Sequence, residues 1–124
     1  MEEEKQTYQI EYEEFIKNYN SGTTNGEGVG IVIARLSQYF TEANLDYAEA
    51  LIVFNKKAAE IEEEVDDNGK AISSSKAKVK ASATNESNKL IKAKAHLENI
   101  EQSLNSLKAL QRGLLAEQSF SGAM

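Results

Sequence analysis

Within residues 90–115, LIKAKAHLENIEQSLNSLKALQRGLL, the apolar side chains Leu90, Ala93, Leu97, Ile100, Leu104 and Leu107 follow one another at intervals of three and four. That spacing lines them up along one side of an α-helix as a heptad seam, and an oily seam must be covered by other helices. What covers it decides the fold.

The cover is found upstream. From about residue 28 to 66, Leu36, Phe40, Ala43, Tyr47, Ala50, Phe54, Ala58, Ile61 and Val65 step by four or three, with a stutter at Ala50, Phe54 and Ala58 that relaxes supercoiling. Such a helix is about 55 Å long. Val29, Ile31, Val32, Ile33, Tyr39, Leu45, Leu51 and Ile52 widen its stripe over the first two thirds, so this part has more than one helix to cover. Asp67, Asn68 and Gly69 then form a helix stop, because Asn and Gly tolerate the left-handed backbone of a tight reversal. Ser73 to Ser75 can cap a further helix over about 73–117, followed by a frayed tail at 118–124. Folding at Asn68 and Gly69 sets Val65 against Ile72, Ile61 against Lys76, Ala58 against Val79, Phe54 against Ala83, Tyr47 against Leu90 and Phe40 against Leu97.

Before these helices, Tyr8, Tyr12, Phe15, Ile16 and Tyr19 recur at helical spacing opposite Glu11, Glu13, Glu14 and Lys17, which predicts an amphipathic helix over about 5–19. The segment NSGTTNGEGVG that follows is loop chemistry at about 20–27, with Thr24 and Glu27 spaced as a capping box. Gly26, Gly28 and Gly30 do not make a phosphate loop, since no strand precedes them and no Gly-Lys-Ser/Thr ending follows. The predicted fold is all-α: a long antiparallel, coiled-coil-like helical hairpin with a tip turn at 67–72 and the short N-terminal helix packed as third member at its base. All 124 residues fit one helical domain. The absence of proline suits long helices with few breaks.

The chemistry that is missing narrows the function. There is no cysteine, hence no thiolate nucleophile, thiolate zinc site or disulfide framework, in keeping with a reducing cytoplasm. A single histidine, His96, cannot supply a Ser-His-Asp or Cys-His arrangement or an HExxH pair, so an enzyme is not expected. The acid run EIEEEVDD lacks the ligand spacing of an EF-hand, so neither a metal nor any other cofactor is expected. The opening MEEEKQ has no apolar run of a signal peptide, and no window approaches the roughly 20 apolar residues of a membrane-spanning helix. A soluble, cytoplasmic protein without membrane contact is the expectation.

Charge is unevenly placed. The net charge is −6, yet six acids crowd residues 60–67 while seven lysines against one acid, Glu86, occupy residues 70–96. In the expected register Lys70 and Lys76 fall near the tip acids, and Lys89, Lys92 and Lys94 near Asp46 and Glu49. Lys56, Lys57, Lys78 and Lys80 are left facing one another without an acid, an arrangement that successive phosphates of a nucleic acid would neutralise. At the other end, Leu104, Leu107, Leu110, Leu114 and Leu115 run past Val29, where the hairpin partner ends, and this excess predicts a homo-oligomer interface.

A long helix ending in charged residues, a short reversal, a Lys-rich opening (SKAKVKASATNESNKL) and a leucine-rich close (EQSLNSLKALQRGLLAEQ) together resemble the UvsY-like recombination mediators of bacteriophages, over roughly residues 45–118. The resemblance implies a ring-forming, non-enzymatic helical protein that binds single-stranded DNA and assists a recombinase. DNA contact would then fall on Lys56, Lys57, Lys76, Lys78 and Lys80, and self-assembly on the leucine-rich end. The alternative from the residues alone is a structural helical-hairpin assembly protein, of a virion or a secretion system, whose lysines serve solubility and internal pairing.

Overall fold

The computed structural model describes residues 7–22 and 26–122, and every regular element among them is helical: α1 (Thr7–Asn20), α2 (Gly26–Glu62), α3 (Ser74–Ser82) and α4 (Asn85–Gly122). The helix start expected at residues 5 and 6, the cap expected at Thr24 and the last two tail residues lie outside the described residues. The fold is all-α, with α2 and α4 as its long helices. Two compact units are present, Met1–Thr41 with Glu98–Met124 and Glu42–Leu97, and both long helices contribute to each.

In the first unit α1 is the third member beside the long helices. It buries Tyr8 and Phe15, one heptad apart, and leaves Glu13, Glu14 and Lys17 in solvent. The helix closes at Gly22, whose φ of +78° is the left-handed cap that a Cβ would penalise, and whose N–H donates to the Tyr19 carbonyl at 3.0 Å. Among the described residues, Val29, Leu36, Ile100, Leu104 and Leu107 complete this unit's buried set.

The second unit has a smaller core. Ile61 of α2 packs with Ala77 and Ala81 of α3, and Phe54, Ala58 and Ile72 close around them. Helix α2 ends at Glu62, four residues earlier than its apolar spacing predicts, because acidic side chains crowd the carbonyl end of a helix whose last turn holds no base. The reversal is a three-residue hairpin loop: the Gly69 N–H donates to the Asp66 carbonyl at 2.9 Å, and the Asp66 N–H to the Lys70 carbonyl at 2.7 Å. Asp66 Oδ1 accepts from the N–H groups of Asn68 and Lys70, both at 2.9 Å. Gly69 sits at φ +77°, and an antiparallel bridge pairs Val65 with Ala71. Asn68 and Gly69 thus make the turn, as their residue types require.

The helix expected over 73–117 is divided. The Thr84 hydroxyl donates to the Ala81 carbonyl at 2.7 Å, closing α3, and accepts the Ser87 N–H at 3.1 Å, capping α4. Ser73 caps α3 in the same manner through the Lys76 N–H at 3.1 Å. This break corrects the register at the tip: Ala77 and Ala81 face Ile61, while Lys76 is exposed and Val79, expected against Ala58, is 69% exposed. The end of α4 differs too, since its helix runs to Gly122 through most of the expected tail. Thr84→Ala is expected to lower the unfolding free energy by about 1 kcal/mol, measured as a lower urea midpoint, whereas Thr84→Ser is expected to keep the cap and the midpoint.

Candidate interaction surfaces

The five lysines of the expected DNA face lie on two helices and several flanks. On α2, Phe54, Ala58 and Ile61 face inward; at about 100° per residue this turns Lys56 away from the core and puts Lys57 at its edge. On α3, Ala77 and Ala81 face inward, which sends Lys76 and Lys80 to one flank and Lys78 to the other.

Two of the lysines expected to lack an acid have one. Lys80 Nζ is bonded to Glu64 Oε2, an acid two residues beyond the end of α2, and Lys57 Nζ lies 3.7 Å from Glu60 Oε2 one turn along its own helix. All four side chains are substantially exposed, so each pair contributes less than about 1 kcal/mol. Glu86 lines a surface depression with Lys56, Lys57 and Glu60, which further dilutes the positive charge there. Lys56, Lys76 and Lys78 are exposed and make no ion pair among the described residues. Lys89 lines a second depression with Asp46, Glu49 and Glu86, the acids expected near it and one more.

The leucine-rich end is corrected in part. Leu107 is fully buried and Leu104 is 5% exposed, so both belong to the chain's own core and are closed to a partner. The reason is the reach of α2. A Cβ added at Gly30 would stand 3.2 Å from Gln111 Nε2, so α2 is still alongside α4 at residue 111, past both leucines. Leu110 and Leu114 are half-buried, and Leu115 is 52% exposed.

The larger exposed apolar surface lies in the second unit, where Leu45, Ile52, Val53, Val65, Val79 and Ile91 are each 48% to 69% exposed. Ile61 is that unit's one large buried hydrophobe; its other buried apolar side chains are Ala43, Ala77 and Ala81. On α2, Leu45, Ala48 and Ile52 repeat at intervals of three and four on the side opposite Ala43, Phe54 and Ile61, a short outward seam. The sequence carried this signal, because Leu45 and Ile52 widen the apolar stripe beyond what one covering helix can take.

In the first unit, Tyr8 is buried, which raises its phenol above the ordinary tyrosine range against the opposing effect of a hydrogen bond with Asn99. Arg35 Nη1 lies 3.6 Å from Glu11 Oε1, tying α1 to α2. Among the described residues no group of three or more His, Cys, Asp or Glu side chains is placed to hold a metal ion. No helix among them is long and apolar enough to cross a membrane. No family model matches the chain, and neither a curated protein nor a solved structure shows significant similarity to it.

Proposed function

We propose that the protein is a non-enzymatic assembly module that self-associates through the outer face of its second unit. One observation carries this reading: Leu45 and Ile52, on the side of α2 away from Ala43, Phe54 and Ile61, are 65% and 56% exposed. An exposed apolar seam of this kind suits an interaction surface, because its removal from water stabilises a complex by roughly 25 cal/mol per Å² before the costs of association. Leu45 and Ile52, one heptad apart on α2, match what the same face of a second copy would present, and a two-fold contact between identical patches is the commonest way a small chain closes an oligomer.

A second reading, a recombination mediator that binds single-stranded DNA and assists a recombinase, is favoured by Lys56, Lys76 and Lys78, which are exposed and make no ion pair among the described residues. Wild-type protein at sedimentation equilibrium separates the two. Self-association without nucleic acid is expected as a weight-average mass that rises with concentration and is insensitive to added single-stranded DNA. A mass that rises only when DNA is present, with a steep dependence on salt, would instead favour the mediator.

A further inference from the structure

Within the second unit, two flanks border the outward seam of α2, and they differ in charge. At about 100° per residue, Glu42, Glu49 and Lys56 fall on one side of Leu45 and Ile52, each one heptad from the next, and Asn44 and Asn55 fall on the other. All five are exposed. Glu42, Glu49 and Lys56 make no ion pair among the described residues, although Lys56 shares a depression with Glu60 and Glu86. The charged flank therefore runs from two acids at its N-terminal end to one base at its C-terminal end.

Which flank meets which depends on how two copies lie. With the helices parallel, the charged flank of each copy faces the asparagine flank of the other, and no opposite charges meet. With the helices antiparallel about a two-fold axis near Ala48 and Glu49, each flank faces its own counterpart reversed end for end. Glu42 of each copy then lies opposite Lys56 of the other, an attraction that symmetry repeats, while Glu49 meets its own counterpart at the axis. Two opposite pairs outweigh one like pair, and Lys89, which lines a depression with Glu49, reduces the cost of the like pair. On the other flank Asn44 meets Asn55, and carboxamides can both donate to and accept from one another.

We infer that two copies pair through α2 in an antiparallel two-fold contact, with Leu45, Ala48 and Ile52 as its apolar centre and Glu42 and Lys56 of opposite copies as its flanking ion pairs. This inference rests on self-association through the second unit's outer face and adds the orientation of the partner. The exposed ion pairs contribute little affinity and act on orientation, since the parallel arrangement forgoes them.

The chain has no cysteine, so single introduced cysteines report the orientation. Full-length Asn44→Cys and Asn55→Cys proteins are oxidised with glutathione disulfide, separately and as an equimolar mixture. In the antiparallel contact, positions 44 and 55 of opposite copies are nearly level, whereas like positions stand roughly 16 Å apart along the helix, beyond the reach of a disulfide. The mixture is expected to give disulfide-linked dimer, and each variant alone at least ~5-fold less. Glu42→Lys is expected to weaken association by about 10-fold at low salt, and Glu42→Lys combined with Lys56→Glu to restore it. A mixture that gives no more linked dimer than either variant alone, or association indifferent to Glu42→Lys, overturns the orientation and leaves self-association standing. Wild-type protein that stays at the mass of one chain at sedimentation equilibrium removes self-association and this inference together.

Discussion

Leu107→Ala is expected to destabilise the fold by about 2–5 kcal/mol, whereas Leu115→Ala, eight residues further along α4, is expected to change stability by less than about 0.5 kcal/mol. Leu107 has no solvent exposure and shares its unit's core with Val29, Leu36 and Ile100, which are equally enclosed. Truncation there leaves a cavity in addition to the lost transfer energy, and a small helical unit has few alternative contacts with which to close it. Leu115 is 52% exposed, so its truncation returns little surface to water. Urea unfolding followed by circular dichroism, at a concentration low enough to suppress association, measures both. If Leu107 served a partner rather than its own chain, its truncation would leave the monomer's midpoint unchanged, and equal midpoints for Leu107→Ala and wild type would refute the placement.

Much of the fold is legible in the residues because helical period and turn chemistry are local signals. The spacing of Leu90, Leu97, Ile100, Leu104 and Leu107 identifies one helix, that of Leu36, Ala43, Phe54 and Ile61 another, and Tyr8 with Phe15 marks the buried side of α1. Asn68 and Gly69 mark the reversal through a backbone preference that Gly69 fulfils at φ +77°.

What escapes the sequence is phase. The break at Thr84 lies in a run without Gly or Pro, and its single cue is that Ser, Thr and Asn cluster there, residues whose side chains compete for helical backbone groups. Missing it carries the seam through α3 out of step by one or two residues, which exchanges exposed Val79 for buried Ala77 and Ala81. The same shift hides the Lys80 to Glu64 pair, whose partners are 16 residues apart and meet only once the true reversal is known. The reach of α2 past Leu104 and Leu107 was likewise invisible, because a register set at the tip accumulates error toward the other end.

The outward seam on α2 was legible only as a surplus. Leu45 and Ile52 read as stripe-widening residues in the sequence, and the structure gives them a direction, away from Ala43 and Phe54. A surplus of this kind has two uses, a further element of the same chain or a surface of another molecule. In the second unit the described helices leave it uncovered, and a second copy presents the matching face.

Leu45→Glu with Ile52→Glu puts like charges on both sides of such a contact and leaves the monomer's own core untouched. Exposed helical positions tolerate this exchange to within about 0.5 kcal/mol each, so helicity and the urea midpoint at low concentration are expected to match the wild type. Association should respond differently, because desolvating two glutamates per copy against two more costs far more than the aliphatic contacts it replaces return. Sedimentation equilibrium of the double variant beside the wild type, over one concentration series, is the decisive measurement. The wild type is expected to rise in weight-average mass with concentration while the variant stays at the 13.7 kDa of one chain. A wild type that remains at that mass throughout, or a double variant that associates as strongly as the wild type, would contradict the assignment of this face to assembly.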